Sequence, residues 1–115
     1  MHEFALVEQV LDLLRQSAAE KGIEQIDRVT LVVGKGSTFV PEVIAFLFKA
    51  MATEPPFTAA TELVLVEEPV RVRCRACAAE YELEGWRWVC TQCARPALEQ
   101  LAGDTVYIES YEGGA

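Results

Sequence analysis

Four cysteines, in two Cys-x2-Cys pairs, constrain this chain more than any other feature of it. Cys74-Arg75-Ala76-Cys77 and Cys90-Thr91-Gln92-Cys93 are separated by twelve residues. Each pair makes a tight knuckle, and two knuckles at this distance converge on one tetrahedral four-thiolate site of the zinc-ribbon kind. All four positions being sulfur, the site is closed to substrate, and its expected role is structural. Some 30 residues cannot bury enough apolar surface to fold unaided. Metal binding, on the order of 10–16 kcal/mol in zinc-finger peptides, would supply the missing stability. Tyr81, Leu83, Trp86 and Trp88, between the pairs, fit a short hairpin over the metal. Iron ligation and a dithiol redox pair are the other readings of such thiols, the first less favoured because rubredoxin-like knuckles lie farther apart.

The rest of the chain predicts an α+β fold. Phe4, Val7, Leu11, Leu14 and Ala18 recur at steps of three and four, so 4–21 reads as an amphipathic helix that Gly22 ends. Ile26 to Val33 reads as a strand, and Gly34-Lys35-Gly36-Ser37 as a turn; the spacing is not that of a phosphate loop. Pro41 opens a second helix to about Ala52, and Pro55-Pro56 stops it. Thr61 to Glu67 is a second strand and Val106 to Ser110 a third, with a loose tail from Glu112 to Ala115. The expected architecture is two helices packed on a small three-stranded sheet, with an inserted zinc-ribbon-like β module. The boundaries read as 1–68 plus 103–115 for the α+β domain and 69–102 for the metal module.

The other end of the chain carries a second candidate metal site. His2 is the single histidine among 115 residues, and it follows Met1 directly. A terminal amine, the amide nitrogen of residue 2 and the imidazole can close two chelate rings around one ion. Such an array suits Ni(II) or Cu(II), which favour square-planar nitrogen ligation and promote amide deprotonation. Glu3 could place a carboxylate nearby, or could simply suit the helix dipole in the first turn. The competing reading of His2 is an accidental histidine in a frayed terminus.

Charge and composition bound the function classes. The net charge is −8, from ten basic and eighteen acidic residues, and thiolates around one zinc make it more negative. Such a chain repels phosphate backbones. Arg71, Arg73, Arg75, Arg87 and Arg95 do cluster around the knuckles, and Trp86 and Trp88 could stack on bases. The competing function is therefore a zinc-ribbon binding module for nucleic acid or protein. No nucleophile–base pair, open metal site or second histidine speaks for an enzyme. No signal peptide or membrane-length apolar stretch is evident, so the expected place is the cytoplasm. An oligomer is compatible with the sequence.

Met1-His2-Glu3, the Val33 to Ser37 turn, Val40-Pro41-Glu42, both cysteine pairs and the stretch from Leu98-Glu99 through Gly103-Asp104 to Ile108 together resemble the HypA/HybF family. The resemblance covers nearly the whole chain. It implies a nickel metallochaperone for maturation of [NiFe]-hydrogenase, and in some organisms urease. It places transferable Ni(II) on Met1 (amine), His2 (imidazole and amide) and Glu3 (carboxylate near the ion), and structural Zn(II) on Cys74, Cys77, Cys90 and Cys93. The implied partners are a HypB-type GTPase and the hydrogenase large-subunit precursor; nucleic acid and membrane are not among them. The chain departs from the family pattern at Cys93-Ala94, where glycine commonly follows the cysteine, at Thr91, where proline is common, and at Lys35, a position often acidic.

Overall fold

The computed structural model describes residues 2–85 and 87–115, with His2 described by its backbone alone. Two compact units emerge: Met1–Val32, Phe39–Val66 and Tyr107–Ala115 form one, and Val33–Thr38 with Glu67–Val106 the other.

The first unit is built from two helices and a three-stranded sheet. Helix α1 runs His2–Lys21. Val7, Val10, Leu11, Leu14 and Ala18 form its buried stripe, while Phe4 and Leu13 stay exposed. The helix starts two residues earlier than the apolar spacing predicts, because its first turn is set by polar residues that the stripe does not register. Gly22, at φ +68°, ends it where a side chain would be strained. Strand β1, Gln25–Gly34, occupies the centre of the sheet, between β2 (Glu62–Glu68) and a carboxy-terminal strand (Val106–Gly114). Its central position explains why Leu31, Val32 and Val33 are buried in succession.

Strands β1 and β2 run in the same direction. Arg28 reaches Glu62 near their starts, and the Lys35 amide, just past the end of β1, donates to the Glu68 carbonyl at the end of β2. Parallel neighbours require a crossover, and helix α2, Pro41–Met51, provides it. Pro41 sets its first turn, Ile44 and Phe48 face inward, and the Ala52 amide closes on the Phe48 carbonyl. The helix thus ends before Pro55-Pro56. Phe48 meets Phe57 edge-to-face at 5.9 Å between centroids, and the Arg15 guanidinium lies 5.6 Å above Phe57.

The second unit holds another three-stranded sheet. Strand β3 (Arg71–Cys74) lies between β4 (Glu80–Glu82) and β5 (Leu98–Ala102), antiparallel to both. The expected hairpin between the knuckles is therefore corrected. Tyr81 pairs back onto β3, opposite Val72, and Leu83 lies beyond β4. Trp88 is outside any strand and Trp86 outside the described residues. The second partner of β3 comes instead from after the second knuckle, because a strand opposite each side of β3 satisfies more backbone groups than one hairpin would.

The final strand, β6, runs Val106–Gly114, so the tail expected to be loose is ordered through Gly114. Glu24 donates its amide to the Gly114 carbonyl, Arg28 binds Glu112 at 3.1 Å, and Tyr111 Oη lies 2.6 Å from Ser17 Oγ. At Gly113 a Cβ would come within 2.2 Å of the Gln25 carbonyl, so that glycine serves close strand approach and not flexibility. Leu14 is 1% exposed and Phe46 71%. Leu14→Ala is expected to lower stability by about 2–5 kcal/mol, and Phe46→Ala by less than about 0.5 kcal/mol. Urea unfolding followed by circular dichroism checks the contrast.

Candidate metal centre

The two knuckles repeat one backbone pattern. In the first, the Cys74 amide donates to the Ala79 carbonyl at 2.9 Å and the Ala78 amide to the Cys74 carbonyl at 2.8 Å. In the second, the Cys90 amide donates to Arg95 at 3.0 Å and the Ala94 amide to Cys90 at 2.9 Å. Each turn needs a left-handed residue just after its second cysteine, and alanine supplies it: Ala78 at φ +65° and Ala94 at φ +60°. A methyl group there is strained, by roughly 1–2 kcal/mol.

The knuckles bring all four sulfurs together. Every Sγ lies within 4.8 Å of the others. Cys74 and Cys93 are 3.6 Å apart, as are Cys77 and Cys90. Four sulfurs about 2.3 Å from one zinc would stand roughly 3.8 Å apart at the corners of a tetrahedron. The donor set therefore fits a structural zinc ion, with no corner left for substrate. The first cysteine of each pair, Cys74 and Cys90, is buried, while Cys77 is exposed.

The thiols differ in acidity before any metal enters. Burial pushes Cys90 up, but the amides of Cys93 and Gln92, the latter 3.3 Å from its sulfur, outweigh burial and bring it to about 6. The Cys77 amide leads the set of contacts that lowers Cys74. The Ala79 amide lowers Cys77, but burial and hydrogen bonds with the other sulfurs overcome it and raise that thiol to about 11. Cys93 is raised in the same way, against the pull of the Arg95 amide. At neutral pH the Cys90 sulfur thus holds charge while Cys77 and Cys93 hold their protons, so a divalent ion must displace at least those two protons.

Around the centre, Arg73 lies opposite both Glu80 and Glu99, at 3.7 and 3.8 Å, and Arg75 lies 3.5 Å from Glu99. Two of the arginines that could have formed a phosphate-binding surface are thereby matched with carboxylates. Such exposed pairs stabilise little, at most about 1 kcal/mol each.

The other proposed ligands lie in the first unit. Met1 and the His2 imidazole are outside the described residues. The Glu3 carboxylate accepts a hydrogen bond from the Val40 amide at 3.1 Å. Sequence reasoning did not connect these residues, which are 37 positions apart. The only available signal was that Val40 precedes a helix and lacks a capping side chain of its own.

Comparison with known proteins decides the family. A family model described as hydrogenase/urease nickel incorporation, metallochaperone, hypA, matches residues 1–113. The chain belongs to the HypA family. It is 41% identical over 113 residues to the hydrogenase maturation factor HypA of Moorella thermoacetica, covering 98% of this chain and 99% of that one. It is 32% identical to the HypA of Chloroflexus aggregans, covering 97% and 98%. In fold it is similar to the solution structure of the Ni metallochaperone HypA from Helicobacter pylori, with a TM-score of 0.73 at 21% identity, over 98% and 97% of the two chains. As a HypA family member it is a nickel metallochaperone of hydrogenase maturation. No described helix is long and apolar enough to cross a membrane.

Because zinc and protons compete for the same sulfurs, and Cys77 and Cys93 hold protons near neutrality, zinc affinity is expected to fall by about a hundredfold or more per pH unit there. The fall steepens below about 6, where Cys90 also regains its proton. Competition with a chromophoric chelator across pH 5–8 measures this. Ala94→Gly removes the strained methyl and is expected to stabilise the zinc-loaded form by about 0.5–1 kcal/mol, read as slower zinc loss to chelator.

Proposed function

We propose that the nickel cargo is carried at the amino terminus by the Met1 amine, the His2 amide and imidazole, and the neighbourhood of Glu3. The observation that carries this reading is the start of α1 at His2 with Glu3 tied to Val40. The first four amides of a helix have no acceptor within it. The His2 amide can therefore lose its proton to nickel without breaking a helical hydrogen bond. The helix dipole opposes a cation at this end by about 0.3–1 kcal/mol, and the deprotonated amide and Glu3 offset it. Glu3 bonding to Val40 steadies the first turn, so the chelate is carried on a braced helix end and not on a loose tail.

These features suit a carrier more than a store. Three nitrogens at an open terminus can be removed one at a time by an acceptor's ligands. The amine and the imidazole have ordinary pKa values near ~8 and ~6.5, so mild acid favours release. Transfer is ligand exchange and needs no catalytic group, which agrees with a maturation factor that is not an enzyme. In hydrogenase maturation the receiving proteins would be a HypB-type GTPase and the hydrogenase large-subunit precursor, in the reducing cytoplasm, where the four thiols stay available to zinc.

Titration of Ni(II) into zinc-loaded, tag-free protein tests the assignment. His2→Ala is expected to weaken nickel binding at least a hundredfold with zinc content and circular dichroism unchanged. A peptide extension before Met1, which converts the amine to an amide, is expected to do the same. Nickel affinity that survives both changes would place the cargo elsewhere.

A further inference from the structure

The sheet of the first unit has two edge strands, and they are unlike. Strand β6 carries Glu109 and Glu112 along its length and ends in glycine. Charges spread along an edge discourage another strand from joining it. Strand β2 reads Glu62-Leu63-Val64-Leu65-Val66-Glu67-Glu68, with charge only at its ends and four apolar residues between them, two of them the strand-favouring Val64 and Val66. β1 occupies one side of β2. On the other side, alternate N–H and C=O groups have no strand partner among the described residues.

Beside this free edge lies a groove of about 570 Å³. Ala45, Phe48 and Lys49 of α2, with Ala52 just past its end, form one wall, and Thr61 and Leu63 form the other. The two alanines leave room that larger side chains would fill. Lys49 is exposed and makes no ion pair among the described residues. An open edge, an apolar groove between that edge and a helix, and one free cation at its rim form a receptor for an extended peptide.

We propose that the outer edge of β2 accepts an extended segment of a partner protein by antiparallel strand addition, with alternate apolar side chains in the α2–β2 groove and a carboxylate on Lys49. Direction follows from position. Lys49 lines the groove with Thr61 and Leu63, at the start of β2. An antiparallel guest brings its carboxy-terminal end there and its amino-terminal end beside Glu67, where a basic residue fits. A second copy of this chain fits poorly. Antiparallel pairing of two β2 strands would set Glu62 of one against Glu67 or Glu68 of the other, and like charges placed opposite each other disfavour a pair. The net charge of −8 on each copy adds repulsion. This docking site goes beyond nickel binding and is independent of which residues hold the cargo.

The test is a nuclear magnetic resonance titration of the full, zinc-loaded chain with the peptide acetyl-Lys-Thr-Val-Thr-Val bearing a free carboxy terminus. The expected result is saturable shifts and slowed hydrogen exchange at the amides of Leu63 to Val66. Amidating the peptide's carboxy terminus, or Lys49→Glu in the protein, is expected to weaken binding at least fivefold. Methylating alternate backbone nitrogens of the peptide is expected to abolish it. Absence of saturable shifts on β2 at millimolar peptide overturns the proposal. So does undiminished binding of the methylated peptide, or indifference to both charge changes. Sedimentation showing a dimer whose β2 amides are protected before peptide is added would assign the edge to a second copy instead, and would also overturn it.

Discussion

Backbone touches backbone where the cysteine module begins and ends, and only glycine permits it. A Cβ on Gly34 would lie 2.3 Å from the Gly103 carbonyl, and one on Gly103 would lie 2.5 Å from the Pro69 carbonyl. Gly103 also sits at φ +86°, where a side chain is strained in any case. Around this contact the 34–37 turn is hydrogen-bonded to both passages of the chain. Gly34 donates to Thr105, Lys35 to Glu68 and Gly36 to Gly103, while the Gly103 amide reaches the Glu68 carboxylate. The stretch from Pro69 to Ala102 thus leaves and returns at one clamped point. The knuckles, held at the far end of β3, need only the metal to close the loop.

The four-sulfur centre and the proposed nickel chelate are opposite physical designs. Four sulfurs on two rigid knuckles offer a complete tetrahedron, and the ion that fills it has no exchangeable corner. Such a site adds folding free energy and retains its metal. The proposed chelate at the start of α1 would have few protein donors, and its amine and imidazole would compete with protons near neutral pH. The first design suits zinc as a structural part, and the second suits nickel as a passenger.

Much of this was legible before any coordinates, and the limits were physical. Val7, Leu11, Leu14 and Ala18 announce α1 because burial of one helix face imposes their spacing. The cysteine pairs announce their cluster because ligand geometry imposes theirs. β5 was missed: Leu98-Glu99-Gln100-Leu101-Ala102 has no alternation and becomes a strand only through its pairing with β3. The last residues of β6 were missed for a related reason, since Gly113 signals looseness in isolation and close approach in context. The turn at Gly34 was recognised, but its meeting with Gly103 was not, because contact between distant backbones leaves no local pattern.

The bond between Glu3 and Val40 belongs to that last class, and it changes how the amino terminus should be understood. In a capping box, a glutamate in a helix's first turn reaches back to the amide of that same helix's cap residue. Here the amide is the cap residue of α2, and the carboxylate comes from the first turn of α1. One side chain therefore ties the starts of both helices together. If Glu3 turned fully to a metal, the Val40 amide would exchange this acceptor for water, because the bond is exposed, at a cost of no more than about 0.5–1.5 kcal/mol. That cost falls on metal binding alone and is returned on release. If Glu3 is shared between this helix cap and the cargo ion, as proposed, nickel affinity would lie somewhat below what the same donors reach on a free peptide, which is the direction a carrier requires.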